Sequence, residues 1–183
     1  MNALDALIGR VSPGQLVAPG PDADQLQQIL TAGASAPDHG RMQPWRFIVI
    51  EGDSRGRLGD VMAQSLQRRE PAITQDKLDA ERKKALRAPT IVVVAAVLRD
   101  NPKVPDVEQM MAAGAAAQNM LVAAHAMGLG GFWRTGPFAY DPEVKKAFGL
   151  SAMDAIVAVL YIGSVGLPGK PRRVDLDTVT SRW

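Results

Sequence analysis

The sequence contains no cysteine, which excludes disulfides, thiol nucleophiles and cysteine-based zinc sites. Histidine is scarce as well, because His39 and His125 are the only two, too few for a histidine-rich metal cluster. A large excess of one charge is also missing, since 21 basic and 19 acidic side chains give a formal net charge of +2. So small an excess argues against a dedicated nucleic-acid binder. We therefore predict no metal site and no nucleic-acid partner.

A long uninterrupted apolar run is absent too. The N-terminus carries an acid at Asp5 and lacks the basic region and apolar core of a signal peptide. Residues 110–131 are rich in alanine and interrupted by Gln118, Asn119 and His125, which predicts a buried helix rather than a membrane span. We expect a cytoplasmic protein with no membrane partner, and 183 residues suit a single domain spanning 1–183.

Hydrophobic periodicity predicts many helices and few strands. Apolar residues recur at helical spacing in residues 4–10, 26–33, 58–66, 78–86 and 107–127. The apolar stretch of residues 47–51 predicts a strand buried on both faces for most of its length. The β-branched run of residues 88–98 predicts a central strand covered on both faces, and residues 154–166 predict the last long strand. This helix-first order favours an α+β layer fold over a doubly wound one.

Proline and glycine mark the connections between these elements. Residues 12–25 contain three prolines and two glycines and are predicted to form a connector, and residues 128–136 a glycine-rich loop. Asp141 and Pro142 predict a helix start with a capping acid. The tail of residues 167–183 has no helical period and is predicted to be extended. Its alternating apolar residues suit an edge strand that a second subunit could pair.

The common catalytic motifs are missing. The sequence has no G-x-S-x-G nucleophile elbow, no phosphate-binding P-loop motif and no G-x-G-x-x-G after a strand. No spacing of acidic residues singles out a carboxylate pair. If the protein is an enzyme, a cofactor is therefore expected to supply the difficult chemistry.

Four segments could hold such a cofactor, although each also has a plain structural interpretation. "GRVS" (residues 9–12) offers an arginine and a hydroxyl to a phosphate, or is an ordinary helix C-terminus. "APDHGRMQPW" (residues 36–45) places titratable groups before a strand, or is a turn with a structural tryptophan. "GLGGFWRTG" (residues 128–136) lets the backbone approach a flat ligand, or is a helix end followed by a strand. "KPRR" (residues 170–173) is a cationic clamp or a solvated tail.

Taken together and in this order, these segments resemble the nitroreductase family of flavoproteins. "KVPDVEQ" (residues 103–109) and "LYIG" (residues 160–163) add to the resemblance, which covers essentially the whole chain. The resemblance implies an α+β, three-layer fold with a mixed, mainly antiparallel sheet flanked by helices. It further implies a homodimer with an exchanged C-terminal arm, FMN bound at the subunit interface, and NAD(P)H as reductant. Trp45 is then expected to anchor the interface loop in the core.

The resemblance also assigns FMN contacts to individual positions. Ser35 and His39 match positions where the neighbouring subunit reaches the flavin, and Arg173 matches a phosphate-binding arginine. Residues 123–128 match a stretch that contacts the nicotinamide nucleotide. No catalytic side chain is implied, because the flavin carries the electrons. The remaining expected FMN contacts are Arg10, Val11, Ser12, Trp133, Arg134 and Thr135.

The sequence departs from the family pattern at three positions. Val11 stands where many members have a second arginine, so one positive charge is missing. Asp38 and Arg41 replace the common serine and asparagine of the interface loop. An acid near an anionic cofactor is unexpected unless Arg41 or Arg46 pairs with it.

The predicted function is an FMN-dependent oxidoreductase that passes hydride from NAD(P)H to an electron-poor acceptor, a nitroaromatic or a quinone, in a ping-pong cycle. Three alternatives stay open. The first two are another specialised flavin reaction on the same scaffold and a flavin-binding protein without turnover. A third is a plain α+β domain without flavin.

Overall fold

The computed structural model describes residues 1–171 and 174–183. Four short 3-10 helices cover His39–Arg41, Lys84–Leu86, Pro137–Tyr140 and Leu176–Thr178. The α-helices are α1 (Ala3–Gly9), α2 (Ala23–Ala34), α3 (Ser54–Arg69), α4 (Gln75–Lys83), α5 (Asp106–Ala126) and α6 (Pro142–Ala147). The strands are β1 (Gln15–Val17), β2 (Trp45–Glu51), β3 (Thr90–Ala96), β4 (Gly130–Arg134) and β5 (Ala155–Leu167).

The long strand β5 organises the sheet, because β1, β3 and β4 all pair with it and β2 joins through β3. Every pairing described is antiparallel. The predicted α+β fold with a mainly antiparallel sheet is therefore confirmed.

The sheet lies between two helical layers, and β3 shows why. Ile91 and Val93 face the layer that contains α3 and α6, whereas Val92 and Val94 face the layer that contains α2 and α5. All seven residues of β3 are buried, so the strand contributes side chains to both cores. The prediction of a central strand covered on both faces is confirmed, and such burial is the main favourable term in folding.

Four predictions about local structure are corrected. Within the described residues, strand β2 pairs with β3 alone and Ile50 is its one fully buried residue, so β2 is an edge strand that is not buried on both faces for most of its length. The predicted connector contains β1, where Leu16 packs into the core beside β5, and the first three residues of α2. The predicted loop of residues 128–136 contains β4. The tail is not extended throughout, since Leu176–Thr178 form a 3-10 helix.

Helix capping follows the sequence closely. The Asp141 carboxylate accepts a hydrogen bond of 2.9 Å from the Glu143 backbone N–H and Pro142 occupies the first turn of α6, as predicted. The segment ends at Gly149, which has a φ of 67°, a left-handed conformation that favours glycine. At the other end of the chain, Asp22 and Gln25 form a capping box that starts α2.

Candidate functional site

The segment that follows α1 contains an arginine with one buried N–H group that donates no hydrogen bond within the described residues. Arg10 is half-buried, and its Nε atom is buried without a hydrogen-bond partner within residues 1–171 and 174–183. An unsatisfied buried N–H of a charged group is costly, so it marks a place where a ligand acceptor fits. Val11 is half-buried beside it, and Ser12 is exposed.

Close backbone packing fixes this segment against the sheet. A Cβ atom on Gly130 would lie 2.9 Å from Pro13 and 2.7 Å from Leu16, so this part of the chain fits only against glycine at the start of β4. A Cβ atom on Gly169 would collide with the Ser12 carbonyl oxygen. Gly169, which precedes the basic segment of residues 170–173, therefore lies beside Ser12, as expected if the two segments bind one ligand. Arg173, the predicted phosphate contact, lies outside the described residues.

The end of β4 presents its side chains to both faces of the sheet. The Trp133 ring lies against α5, where a Cβ atom on Gly114 would be 3.8 Å away. The Arg134 guanidinium lies on the opposite face, 5.0 Å above the centre of the Phe132 ring. Trp133 and Arg134 are thus adjacent in sequence but reach different surroundings, and Thr135 follows them in an exposed position.

A cavity on the Arg134 side of the sheet was not predicted from the sequence. We call it the basic pocket; its volume is about 170 Å³. Four basic side chains, one acidic side chain and several apolar ones line it: Arg69, Lys84, Arg87 and Arg134, Glu81, and Met62, Phe132, Pro137, Phe138 and Tyr161, together with Thr135 and Gly136. Burial raises the pKa of the Tyr161 hydroxyl, and the charges of Arg87 and Arg134 act in the opposite direction.

Ser35 lies at the C-terminal end of α2, where it meets α1 and α5. Its hydroxyl donates a 2.9 Å hydrogen bond to the Ala32 carbonyl. It lines a groove between α2 and α5 together with Ala123 and Met127, which belong to the predicted nicotinamide stretch. Ser35 and residues 123–128 are therefore neighbours in one subunit.

The loop that carries His39 is held in a strained backbone conformation. Gly40, Arg41 and Gln43 have φ values of 71°, 52° and 47°, and side chains other than glycine rarely adopt such values. The Asp38 carboxylate accepts a 2.6 Å hydrogen bond from the Gln43 N–H and so closes the loop.

The sequence left open whether Arg41 or Arg46 pairs with Asp38. No ion pair joins these residues in the described part of the chain, and the Arg46 guanidinium donates to the Gly149 carbonyl instead. Asp38 therefore acts on its own loop.

His39 has a partner that the sequence did not indicate. Its Nδ1 lies 2.5 Å from the Glu108 carboxylate at the start of α5. Nδ1–H donates to the carboxylate, which leaves Nε2 as the free ring nitrogen. Glu108 lies in "KVPDVEQ", one of the segments that carried the family resemblance, but 69 residues separate the two side chains. Only the folded chain shows the contact.

His39 should therefore matter to a bound flavin without being needed for folding. We expect His39→Ala to change the flavin spectrum or affinity while leaving the unfolding transition in place, because His39 is exposed. Glu108→Ala is expected to reproduce the spectral change, since it frees the ring to turn, and Glu108→Gln to produce a smaller one. Flavin absorbance and circular dichroism melts measure both effects. Unaltered spectra and affinity in His39→Ala would show a purely structural turn histidine.

His39 and Arg10 lie at opposite ends of α5. His39 contacts Glu108 at its start, whereas the His125 ring near its end lies 3.6 Å from a Cβ atom placed on Gly9. At a rise of 1.5 Å per residue, Glu108 and His125 are roughly 25 Å apart. A single subunit therefore does not bring Arg10 and His39 onto one ligand.

The sequence matches the family model described as "Nitroreductase family" over residues 15–164. The chain belongs to the nitroreductase family. It is 46% identical over 165 residues to "Putative NAD(P)H nitroreductase YdjA" of Escherichia coli (strain K12), covering 90% of this chain and 88% of that relative. A relative from Haemophilus influenzae with the name "Putative NAD(P)H nitroreductase" is 36% identical over 165 residues, covering 90% of this chain and 89% of the relative.

Solved structures of nitroreductases share the fold. A nitroreductase-like family protein from Bacillus cereus superimposes with a TM-score of 0.84 at 23% identity, covering 100% of this chain and 96% of the other. A Desulfovibrio desulfuricans nitroreductase solved in complex with FMN gives a TM-score of 0.77 at 26% identity, covering 100% and 97%. In the described part of this nitroreductase, no helix combines the length and the apolar character needed to cross a membrane.

Proposed function

We propose that this nitroreductase is a cytoplasmic, FMN-dependent oxidoreductase that uses NAD(P)H to reduce an electron-poor acceptor in a ping-pong cycle. The observation that carries the proposal is the buried Nε of Arg10, which has no acceptor within the described residues although it lies in a segment expected to bind FMN. A bound anion or carbonyl oxygen would satisfy it. The FMN complex of the Desulfovibrio desulfuricans relative supports the choice of cofactor.

The residues present fit a flavin. Arg10, Val11 and Ser12 offer one guanidinium, an apolar contact and a hydroxyl beside the backbone at Gly169. Trp133 adds a flat aromatic surface that is 39% exposed, and Arg134 and Thr135 continue along the same strand end. We assign Arg173, the remaining family position, to the phosphate from the sequence alone.

We further propose that a homodimer completes the site. One stripe of α5, exposed at its first two residues and half-buried at the next three, contains residues spaced by three or four positions: Val107, Met111, Ala115, Gln118 and Val122. Val107 and Met111 are 52% and 68% exposed, and Leu4 and Ile8 of nearby α1 are 67% and 82% exposed. So much exposed apolar surface on adjoining helices is typical of a protein–protein interface.

A two-fold axis that relates the α5 helices of two subunits would bring His39 of one subunit near Arg10 of the other. Two copies of the helix packed antiparallel place the start of one beside the end of the other. The His39 loop of one subunit would then approach the Arg10 segment of the second. The exposed tail, with Leu176 and Val179 at 70% and 68% exposure, would be exchanged across the same interface.

Met111→Glu tests the dimer, because a charge in the centre of the stripe must be desolvated on association. We expect sedimentation equilibrium to give twice the 19.5 kDa chain mass for the unmodified protein and mostly monomer for the variant. Met153→Glu is the matched control, since Met153 is equally exposed at 70% but lies outside α5. A monomeric unmodified protein, or loss of the dimer in both variants, would argue against this interface.

The chain itself has little proton chemistry to perform. When bound, FMN accepts hydride from the nicotinamide and delivers electrons to the acceptor. The protein's part is to orient the rings, with residues 123–128 beside Ser35 as the proposed nicotinamide contact. Solvent supplies protons, so no catalytic side chain is assigned.

An anaerobic absorbance spectrum of the purified protein with FMN, recorded before and after adding NADH or NADPH, tests the function. We expect a protein-bound flavin band that bleaches with one of the nucleotides and returns when a nitroaromatic or quinone is added. A bound flavin that stays oxidised would instead indicate a specialised reaction or a flavin binder without turnover. Absence of a bound flavin would overturn the cofactor assignment.

A further inference from the structure

The basic pocket has the construction of a small-molecule site. Its lining contains the apolar and aromatic side chains of Met62, Phe132, Phe138 and Tyr161, together with four basic side chains. Phe138 and Tyr161 are only 6% and 5% exposed, so the walls are fixed by the core. Apolar walls with a few convergent charges are the usual composition of ligand sites.

The pocket carries an excess of positive charge. Glu81 is its only acidic lining residue, and the Lys84 ammonium lies 2.6 Å from that carboxylate. Arg69, Arg87 and Arg134 have no carboxylate within 4 Å in the part of the chain that the structure describes. Three arginines thus line one cavity without a carboxylate partner in the described residues, and a planar carboxylate is the ligand that guanidinium groups bind best.

The size of the pocket narrows the ligand further. A volume of about 170 Å³ is below the ~300 Å³ at which pockets for drug-sized molecules begin. It suits one substituted ring better than a three-ring flavin. The apolar side chains of the lining suit that ring, and the basic side chains of the lining provide cations for its charged substituent.

The pocket adjoins the proposed flavin site. Arg134 and Thr135 belong to both, whereas Trp133 points to the opposite face of the sheet. A ring anchored here lies next to the strand end that we assign to the cofactor, as an electron acceptor must.

We propose that the basic pocket binds the carboxylate of an aromatic acid, and that the acceptors of this enzyme are aromatic acids that carry a reducible group. This inference rests on the proposed function. For a nitro acid the step consumes one NAD(P)H and one proton, converts the nitro group to a nitroso group, and releases NAD(P)⁺ and water. The two electrons come from the nicotinamide through the flavin.

Binding is measured first, without turnover, by isothermal titration of the FMN-loaded protein with benzoate and with the neutral analogue benzamide. We expect benzoate to bind about 10- to 100-fold more tightly, the range of a hydrogen bond to a charged group. Added salt should weaken benzoate binding and leave benzamide binding nearly unchanged.

Arg87→Gln is the decisive variant, because it removes a cation that is exposed and has no described carboxylate partner. We expect it to remove most of the preference for benzoate and to lower kcat/KM for 4-nitrobenzoate by about 10-fold or more, and to lower kcat/KM for 4-nitrobenzamide by a much smaller factor. Lys83→Gln is the matched control. It deletes the same charge from an exposed position four residues away, outside the lining of the pocket, and should change neither ratio.

Other outcomes overturn the proposal in distinguishable ways. Equal binding of benzoate and benzamide would show that the pocket has no carboxylate site. A tenfold loss of FMN affinity in Arg87→Gln would show that its charge serves the cofactor. If benzoate binds as expected and neither nitro compound is reduced, the anion site stands and the assignment of acceptors fails. The proposed function fails as well if a quinone is not reduced either.

Discussion

Replacing Gln109 by leucine is expected to lower the free energy of unfolding by about 3–5 kcal/mol. Gln109 is 1% exposed, and its side-chain amide hydrogen-bonds to the backbone of the segment between β3 and α5. Its Oε1 accepts from the Arg99 N–H at 3.0 Å, and its Nε2 donates to the carbonyls of Arg99 and Val104 at 2.9 and 3.1 Å. Leucine has a similar size but leaves three backbone groups without partners.

The effect should extend from stability to the interface loop. The Arg99 side chain donates to the Met42 carbonyl at 3.0 Å, and Val104 lies 3.1 Å from a Cβ atom placed on Gly40. Loosening residues 99–104 therefore removes two supports of the loop that carries His39. We expect a perturbed flavin spectrum along with the lower stability.

Urea unfolding followed by circular dichroism measures the loss, and the change should appear in the midpoint with an unchanged slope. Gln64→Leu is the control, because Gln64 is an exposed residue of α3 and should shift the free energy by less than about 0.5 kcal/mol. Equal stabilities of Gln109→Leu and the unmodified protein would contradict the assigned role of the Gln109 amide.

Arg10→Ala is expected to weaken FMN binding by roughly 1.5–3 kcal/mol, which corresponds to about 10- to 150-fold in Kd. The family's second arginine is replaced by Val11, so Arg10 is the only arginine that this segment can offer to the flavin. The buried Nε of Arg10 has no hydrogen-bond acceptor within the described residues. Removing it would delete the charge-assisted hydrogen bond that we propose it donates to FMN. Reduction should also become harder, because reduced flavin gathers negative charge that a nearby cation stabilises.

Quenching of flavin fluorescence measures the affinity, and an anaerobic redox titration measures the potential. Arg57→Ala is the matched control, an exposed arginine of α3 outside both proposed sites. The Kd of Arg10→Lys for FMN should fall between those of the unmodified protein and Arg10→Ala, because lysine keeps the charge but lacks the planar fork of donors. An unchanged Kd in Arg10→Ala would remove Arg10 from the site.

The sequence predicted the elements whose residues alone determine them. The continuous β-branched run around Val92 has no polar face, so the sequence alone predicted a central strand covered on both faces. Asp141, Pro142 and Gly149 specify the ends of α6 through local backbone chemistry. The prediction that strand β2 is covered on both faces was wrong because apolar residues such as these occur in edge strands and in central strands. The position of β2 at the edge depends on which strands pair with it.

The candidate site divides in the same way. The order and types of residues in "GRVS", "APDHGRMQPW" and "GGFWRTG" determined the family, since these segments are contiguous and can be compared directly. Their separation on the folded chain was not visible in the sequence. Arg10 and His39 reach opposite ends of α5, and Trp133 and Arg134 reach opposite faces of the sheet.

By itself, then, the sequence determined the fold class, the helix caps, the central strand and membership of the nitroreductase family. Only the tertiary structure decided that Glu108 holds His39, that Asp38 closes its own loop, and that basic side chains from α3, the segment directly after α4, and β4 line one pocket. The physical reason is range. Caps and periodicity act over a few residues, whereas these contacts join residues whose distances follow from the packing of the whole chain.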